Sequence, residues 1–304
     1  MNFKAISKTI ISKTAPILPY VAGWDRLVIN KCQLMKPIQK TDLIGRLVKA
    51  FFTKEYYTRQ PGSRMEIQRK LMGGQSGACW AEYYDQQREG FPPKKGEKKI
   101  GNLEWHQSCP AVTQITKLIN TDPKKFCLIQ LGASSGKEIS YFAKVFPETV
   151  CIYTDIFESV TTQAKTKLSL PNLNYVTLPA ESLPALAQTS KKPRVLIFSL
   201  GSSQYVYPEQ LDYMFRLLSK IENKEIEFIL DEPGDNSEIN PTILMGSLPR
   251  GGFSYTHNYQ FYAEKNGFIT KTWDLIEPYT PQEDFYPLHQ GTVHLNGWFS
   301  YFKP

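Results

Sequence analysis

Cysteine is scarce here, and its spacing is uninformative as a framework. The 304-residue chain carries five, Cys32, Cys79, Cys109, Cys127 and Cys151, with no Cys-x-x-Cys pair among them. An odd, scattered set, two of it inside apolar runs, argues against disulfide scaffolds and the common zinc sites, and predicts a reduced, cytoplasmic protein with no metal centre. Long hydrophobic runs are also lacking. None approaches the roughly 18 to 20 residues that span a bilayer, so an integral membrane protein is not expected. Blocks of one charge are missing as well: the net charge is +7, yet no five basic residues stand together, and the densest stretch is the Pro/Lys segment Phe91 to Lys99. A modest, scattered excess makes nucleic acid an allowed but not favoured partner. There is no internal repeat and no low-complexity tract. What remains, 41% hydrophobic and 21% charged residues, is the composition of a globular body.

Three zones follow from pattern. In residues 1 to about 120 the apolar positions recur at helical spacing, as in Leu43, Leu47, Ala50 and Phe51, then Met65, Ile67, Leu71 and Met72, so this zone is expected to be mainly helical. Its first 24 residues carry Lys4, Lys8 and Lys13 among Phe3, Ile6, Ile10, Ile11 and Ile17. That pattern suits peripheral membrane contact or targeting, but Pro16 and Pro19 interrupt any long helix and an arm packed on the body is the simpler reading. From residue 121 onward β-rich runs (Phe126 to Leu131, Val150 to Thr154, Leu173 to Thr177, Arg194 to Ser199, Ile226 to Leu230) alternate with helical stretches at Lys137 to Phe146, Ser159 to Leu168 and Pro208 to Ile221. Strand, helix, strand at this spacing implies a parallel sheet built by right-handed crossovers. Tyr255 to Asn266 reads as a helix closed by Gly267, and Phe268 to Leu275 with Thr292 to Phe302 as two strands pairing antiparallel at one edge.

The chemistry concentrates at strand ends. The run Phe126-Cys-Leu-Ile-Gln-Leu-Gly-Ala-Ser-Ser-Gly136 takes an apolar strand directly into a Gly132-x-x-x-Gly136 turn and a helix, where glycine allows a tight turn and close approach of a ligand to backbone. The spacing fits neither the dinucleotide pattern nor a P-loop. Asp155 ends the next strand, 19 residues after Gly136, where a carboxylate can accept from both hydroxyls of a ribose; capping the helix that follows is the less favoured alternative, given the loop before it.

These residues resemble the class I S-adenosylmethionine-dependent methyltransferases over roughly the last 180 residues of the chain. Gln130 to Gly136 is similar to that family's first motif, with Gln130 in place of the usual acid and Ser134 in place of the middle glycine. Tyr153 to Ile156 is similar to the second. Pro179 to Ser182 corresponds to the acidic adenine-contacting position, and Val195 to Tyr205 to the fourth strand and its loop. The resemblance implies a Rossmann-like α/β fold, a seven-stranded, mostly parallel sheet with an antiparallel C-terminal strand, over residues 121 to 304, preceded by the helical region as an acceptor-site lid. It implies S-adenosylmethionine as cofactor, held by Gln130, Gly132, Ala133, Ser134, Gly136, Asp155, Ile156, Ala180, Glu181, Ser199, Leu200 and Gly201. Gln204, Tyr205, Tyr255 and His106 are expected at the acceptor, and Glu232 or His257 as general base. Trp80, Tyr83 and Tyr84 are candidates for the lid. The fourth-strand loop has no N/D-P-P-Y/F and no Pro-Cys, which removes two classes of nucleic-acid methylation and leaves O- or N-methylation of a small molecule as the expectation. RNA or protein methylation with a basic docking region, and a catalytically silent binding module, are the alternatives.

Overall fold

The computed structural model describes residues 109–235, 246–250, 254–279 and 292–304. The expected helical region before residue 109, with its basic arm, its lid aromatics and His106, lies outside the described residues.

The chain alternates as the sequence predicts, with one further helix, Leu183–Thr189, that the pattern did not give. Helix α1 (Pro110–Ile119) leads to β1 (Phe126–Gln130), α2 (Lys137–Val145), β2 (Val150–Asp155), α3 (Glu158–Lys167), β3 (Leu173–Thr177), α4 (Leu183–Thr189), β4 (Arg194–Leu200), α5 (Pro208–Leu218) and β5 (Lys224–Asp235). Then come a hairpin, β6 (Ser247–Arg250) with β7 (Ser254–His257), helix α6 (Tyr259–Lys265), and strands β8 (Ile269–Tyr279) and β9 (Thr292–Lys303). Seven strands form one sheet in the order β3-β2-β1-β4-β5-β9-β8. Only β9 runs against its neighbours, β5 and β8, so the sheet is mostly parallel.

Both faces of this sheet are covered, which is why its central strands are apolar at successive rather than alternate positions. Along β1, Cys127 and Ile129 enter a core formed with α4, α5 and α6, while Phe126 and Leu128 enter the one formed with α1, α2 and α3. Helix α1 contributes Ala111, Val112, Ile115, Leu118 and Ile119 to the second core. It is thus part of the sheet's own body. Burying five such positions at about 25 cal/mol per Å² of apolar surface binds α1 firmly to the sheet.

Two readings of the C-terminal part are corrected. The helix expected over Tyr255 to Asn266 is split, because Ser254–His257 pairs with Ser247–Arg250 as a hairpin and the helix starts only after Asn258. Asn258 caps it by accepting from the Phe261 N–H at 3.0 Å. Strand β5 is longer than its apolar run, extending to Asp235 along a continuous ladder with β9. Pro233 is tolerated there because its nitrogen lies on the side of Asp231, whose carbonyl accepts from Gly201, beyond the last pairing with β4.

Candidate active site

Strand β1 has β2 on one side and β4 on the other, and the chain leaves β1 toward β2 but returns later to β4. The loops after β1 and β4 therefore diverge to opposite faces, opening the crevice where ligands sit in open α/β sheets.

The loop after β1 is held by its own backbone and by β2. Gly132 and Gly136 have φ of +63° and +71°, and Ser134 adopts +48°. For a residue with a Cβ that left-handed conformation is strained, and here three bonds enforce it. The Ser134 N–H donates to Asp155 Oδ2 at 2.9 Å, the Tyr153 hydroxyl donates to the Ser134 carbonyl at 2.6 Å, and the buried Ala133 N–H donates to the Thr154 carbonyl at 2.8 Å. Glycine at 136 has a packing reason too, since a Cβ there would lie 2.9 Å from Leu168 Cδ1 and 3.1 Å from the Tyr153 ring. Gln130 is buried at the end of β1. Its Oε1 accepts from the Ile139 N–H at 3.0 Å and its Nε2 donates to Glu138 Oε2 at 3.4 Å, so the amide fastens the start of α2.

Asp155 is buried and takes two backbone donors, Ser134 N–H on Oδ2 and Phe157 N–H on Oδ1 at 3.1 Å. The second bond ties Asp155 to Phe157, the residue that precedes the first turn of α3, so Asp155 steadies the entry to that helix without being its N-cap. Ile156, half-buried, follows it. Ala180 and Glu181 form a single 3₁₀ turn after β3, and Glu181 Oε1 accepts from Gln210 Nε2 of α5 at 3.1 Å.

On the other side of the crevice, β4 ends at Ser199, Leu200 and Gly201 and enters the turn Ser203–Tyr205. Gln204 Nε2 returns to the Gly201 carbonyl at 2.7 Å, and Tyr205 is half-buried. The two loops touch: Ser202 Oγ donates to the Gly132 carbonyl at 2.7 Å, and a Cβ on Gly132 would lie 2.6 Å from Ser202 Cβ. Glycine at 132 is therefore required by the neighbouring loop as much as by its own turn.

Glu232 is not turned to the crevice. It follows Ile226, Phe228 and Leu230 on the core-facing phase of β5 and is fully buried. Oε1 accepts from Ser199 Oγ at 2.5 Å and from the Ser202 and Ser203 N–H groups, each at 3.0 Å; Oε2 accepts from the Gln204 N–H at 3.2 Å. Burial pushes its pKa up while these donors pull it down. Four donors and no acceptor identify the species that fits as the carboxylate. A group so occupied anchors a loop and is not poised as a general base.

The sequence placed His257 as a base and Tyr255 at the acceptor. Both are fully buried in β7 with rings stacked 5.3 Å apart, and Tyr259 and Tyr262 close around the imidazole. His257 Nδ1 shares a 2.6 Å hydrogen bond with Ser247 Oγ, which also meets the Tyr262 hydroxyl at 2.8 Å, and Nε2 has no hydrogen-bond partner among the described residues. Burial lowers the pKa to about 3, so the ring is neutral at physiological pH. The residue that sequence reasoning missed is Ser247; Ser202 was expected with Ser203 at the mouth of the pocket, but its bond to Gly132 is tertiary and was not foreseen. Only the acid on the core phase of β5 could have announced the network, since a buried charge must be paired.

No family model matches the chain, and no curated protein does. Solved structures do. Magnesium protoporphyrin IX methyltransferase from Synechocystis, crystallised with S-adenosylmethionine, is 13% identical with a TM-score of 0.46, covering 72% of this chain and 90% of that one. An S-adenosylmethionine-dependent methyltransferase from Anabaena variabilis is 13% identical with a TM-score of 0.42, covering 73% and 93%. The [4+2]-cyclase SpnF is 11% identical with a TM-score of 0.48, covering 68% and 86%. By its own strand order, with one antiparallel strand inserted beside β5, the chain has the Rossmann-like fold of the class I methyltransferases.

Proposed function

We propose that this chain is an S-adenosylmethionine-dependent methyltransferase acting by O- or N-methylation on a small-molecule acceptor. The observation that carries this reading is the joined crevice at the β1/β4 switch point, with a glycine loop on one side and an oriented carboxylate at the end of β2. Backbone of Gly132, Ala133, Ser134 and Gly136 faces the methionine portion, and Ser199, Leu200 and Gly201 form the opposite wall. Asp155 takes the ribose: its two amide bonds fix the carboxylate's direction, which a bidentate grip on a diol needs. Ile156, Ala180 and Glu181 flank the adenine. Gln204 and Tyr205, with His106 and the helical region before residue 109 as lid, meet the acceptor.

The cofactor supplies an electrophilic methyl group on a sulfonium. What the chain must add is alignment of the acceptor's lone pair with that methyl carbon and exclusion of water, so positioning supplies much of the rate.

Calorimetric titration with S-adenosylmethionine and S-adenosylhomocysteine tests the reading. Micromolar binding at one site is expected, weakened at least about a hundredfold in Asp155→Ala and less in Asp155→Asn, which keeps one acceptor oxygen. No binding by the folded parent overturns it.

A silent binding module is the second reading. It is favoured by Gln130, whose amide is spent on α2, and by Ser134 in a glycine's conformation. Cofactor affinity without turnover on any acceptor supports it.

A further inference from the structure

The fully buried carboxylate of Glu232 gathers three consecutive backbone N–H groups, Ser202, Ser203 and Gln204, and the Ser199 hydroxyl. The Ser199 oxygen in turn accepts from the Ser203 N–H at 2.9 Å, and Ser203 Oγ donates to the Tyr259 hydroxyl at 2.9 Å. The turn after β4 is thus tied at every residue to β4, β5 and α6. From it the Ser202 side chain crosses the crevice: Ser202 Oγ donates to the Gly132 carbonyl, with the Gly132 α-carbon pressed against Ser202 so closely that no Cβ fits between them. The route from Glu232 to the glycine loop is therefore continuous, one charge-assisted amide bond and one hydroxyl bond long.

We propose that Glu232 is a positioning residue and Ser202 its clasp: together they lock the loop facing the acceptor to the loop facing the methyl donor, so that the two walls of the crevice hold one spacing. The inference rests on the methyltransferase reading for its consequence. In-line transfer tolerates little error in the distance between acceptor and methyl carbon, and the crevice lies between the loops that this bond joins. Glu232 touches neither reactant and acts only through the turn it fixes. Its carboxylate matters as an acceptor at both oxygens; an amide in its place presents N–H to N–H at one end and repels the turn.

The test uses the full chain as parent, Ser202→Ala, Glu232→Gln and the double variant, with Phe215→Leu in the α5 core as a control that lowers stability away from the crevice. S-adenosylhomocysteine affinity is measured by calorimetry, and exchange of the 202–204 amides by hydrogen–deuterium exchange. The expected result is an affinity loss of roughly tenfold in each single variant, a double variant no weaker than the worse single one, and no loss in Phe215→Leu. Exchange at residues 202–204 quickens in Glu232→Gln. Ser202→Ala folds as the parent does, so the inference stays open to refutation if Glu232→Gln does not fold. Parent-like affinity in folded Ser202→Ala, or losses that simply add in the double variant, overturn the clasp. A parent that binds no S-adenosylhomocysteine overturns the methyltransferase reading instead. The exchange arm then decides the clasp alone: protected 202–204 amides in the parent that become unprotected in Glu232→Gln support it, and unchanged exchange overturns it.

Discussion

At the residue scale, the first motif departs from its family twice, and each departure has a local physical account. Ser134 occupies a left-handed conformation that glycine adopts freely, at a cost of about 1–2 kcal/mol. Glycine returns about 0.5–1 kcal/mol of that by its greater freedom in the unfolded chain. Ser134→Gly is therefore expected to be neutral to about 1 kcal/mol stabilising by urea unfolding, with cofactor affinity unchanged, because both Ser134 contacts come from its backbone. A loss above about 1 kcal/mol assigns the hydroxyl a role that the geometry does not give it. Gly132→Ala goes the other way. A methyl group there meets Ser202 Cβ at 2.6 Å and sits on a φ of +63°, so about 1–3 kcal/mol of stability is lost together with S-adenosylhomocysteine binding. The glycines of this loop were legible in the sequence, but the reason for Gly132 was not. Its neighbour Ser202 is 70 residues away in the chain, and only the topology brings it near.

At the element scale, the parallel core was readable because apolar strands recur with helical stretches between most of them; the short helix α4, seven residues opening on Leu183-Pro184, was not read. The hairpin β6–β7 was not. Ser254 to His257 carries apolar and polar residues at a spacing that serves a strand or a helix turn, and its partner strand Ser247–Arg250 contains Pro249, so the pairing that decides between them is non-local. Nor could periodicity say that the last strand inserts between β5 and β8. Burial of this hairpin has a titration consequence. His257 stays neutral in the folded protein down to about pH 3, whereas in the unfolded chain it protonates near its ordinary value of 6.5. Between these values the unfolded state binds the extra proton, so the contribution is full above pH 6.5 and is lost as pH falls toward 3. Glu232, with a raised pKa, contributes with opposite sign, favouring the fold at lower pH. The difference between parent and His257→Phe isolates the imidazole. The unfolding free energy from urea titration is expected to fall more in the parent than in the variant between pH 7 and pH 4.5, by an amount on the order of a few kcal/mol. Equal falls mean that the imidazole does not stay neutral in the fold.

At the scale of the whole molecule, one sheet supports both walls of the crevice, and a ligand held between the loops of β1 and β4 binds only when that sheet is formed. Binding is therefore folding free energy by mass action: S-adenosylhomocysteine at a hundred times its Kd adds about 2.7 kcal/mol. Bodies of this size shift by about 2–4 °C per kcal/mol, so thermal unfolding of the full chain is expected to rise by about 5–10 °C and to keep rising logarithmically with ligand. The same scan separates the acceptor classes. With a net charge of +7, an RNA partner gains much of its affinity from counterion release, and any stabilisation it confers falls steeply between 50 and 200 mM salt. A small neutral acceptor held by shape and hydrogen bonds gives a shift that salt leaves nearly unchanged. A full S-adenosylhomocysteine shift with no RNA shift at 50 mM salt is the result expected of the small-molecule reading. An RNA shift present at 50 mM and gone at 200 mM moves the acceptor to nucleic acid while leaving the cofactor site as described. Saturating S-adenosylhomocysteine that leaves the melting temperature where it was removes the cofactor itself, because no ligand can bind the folded crevice and not stabilise it.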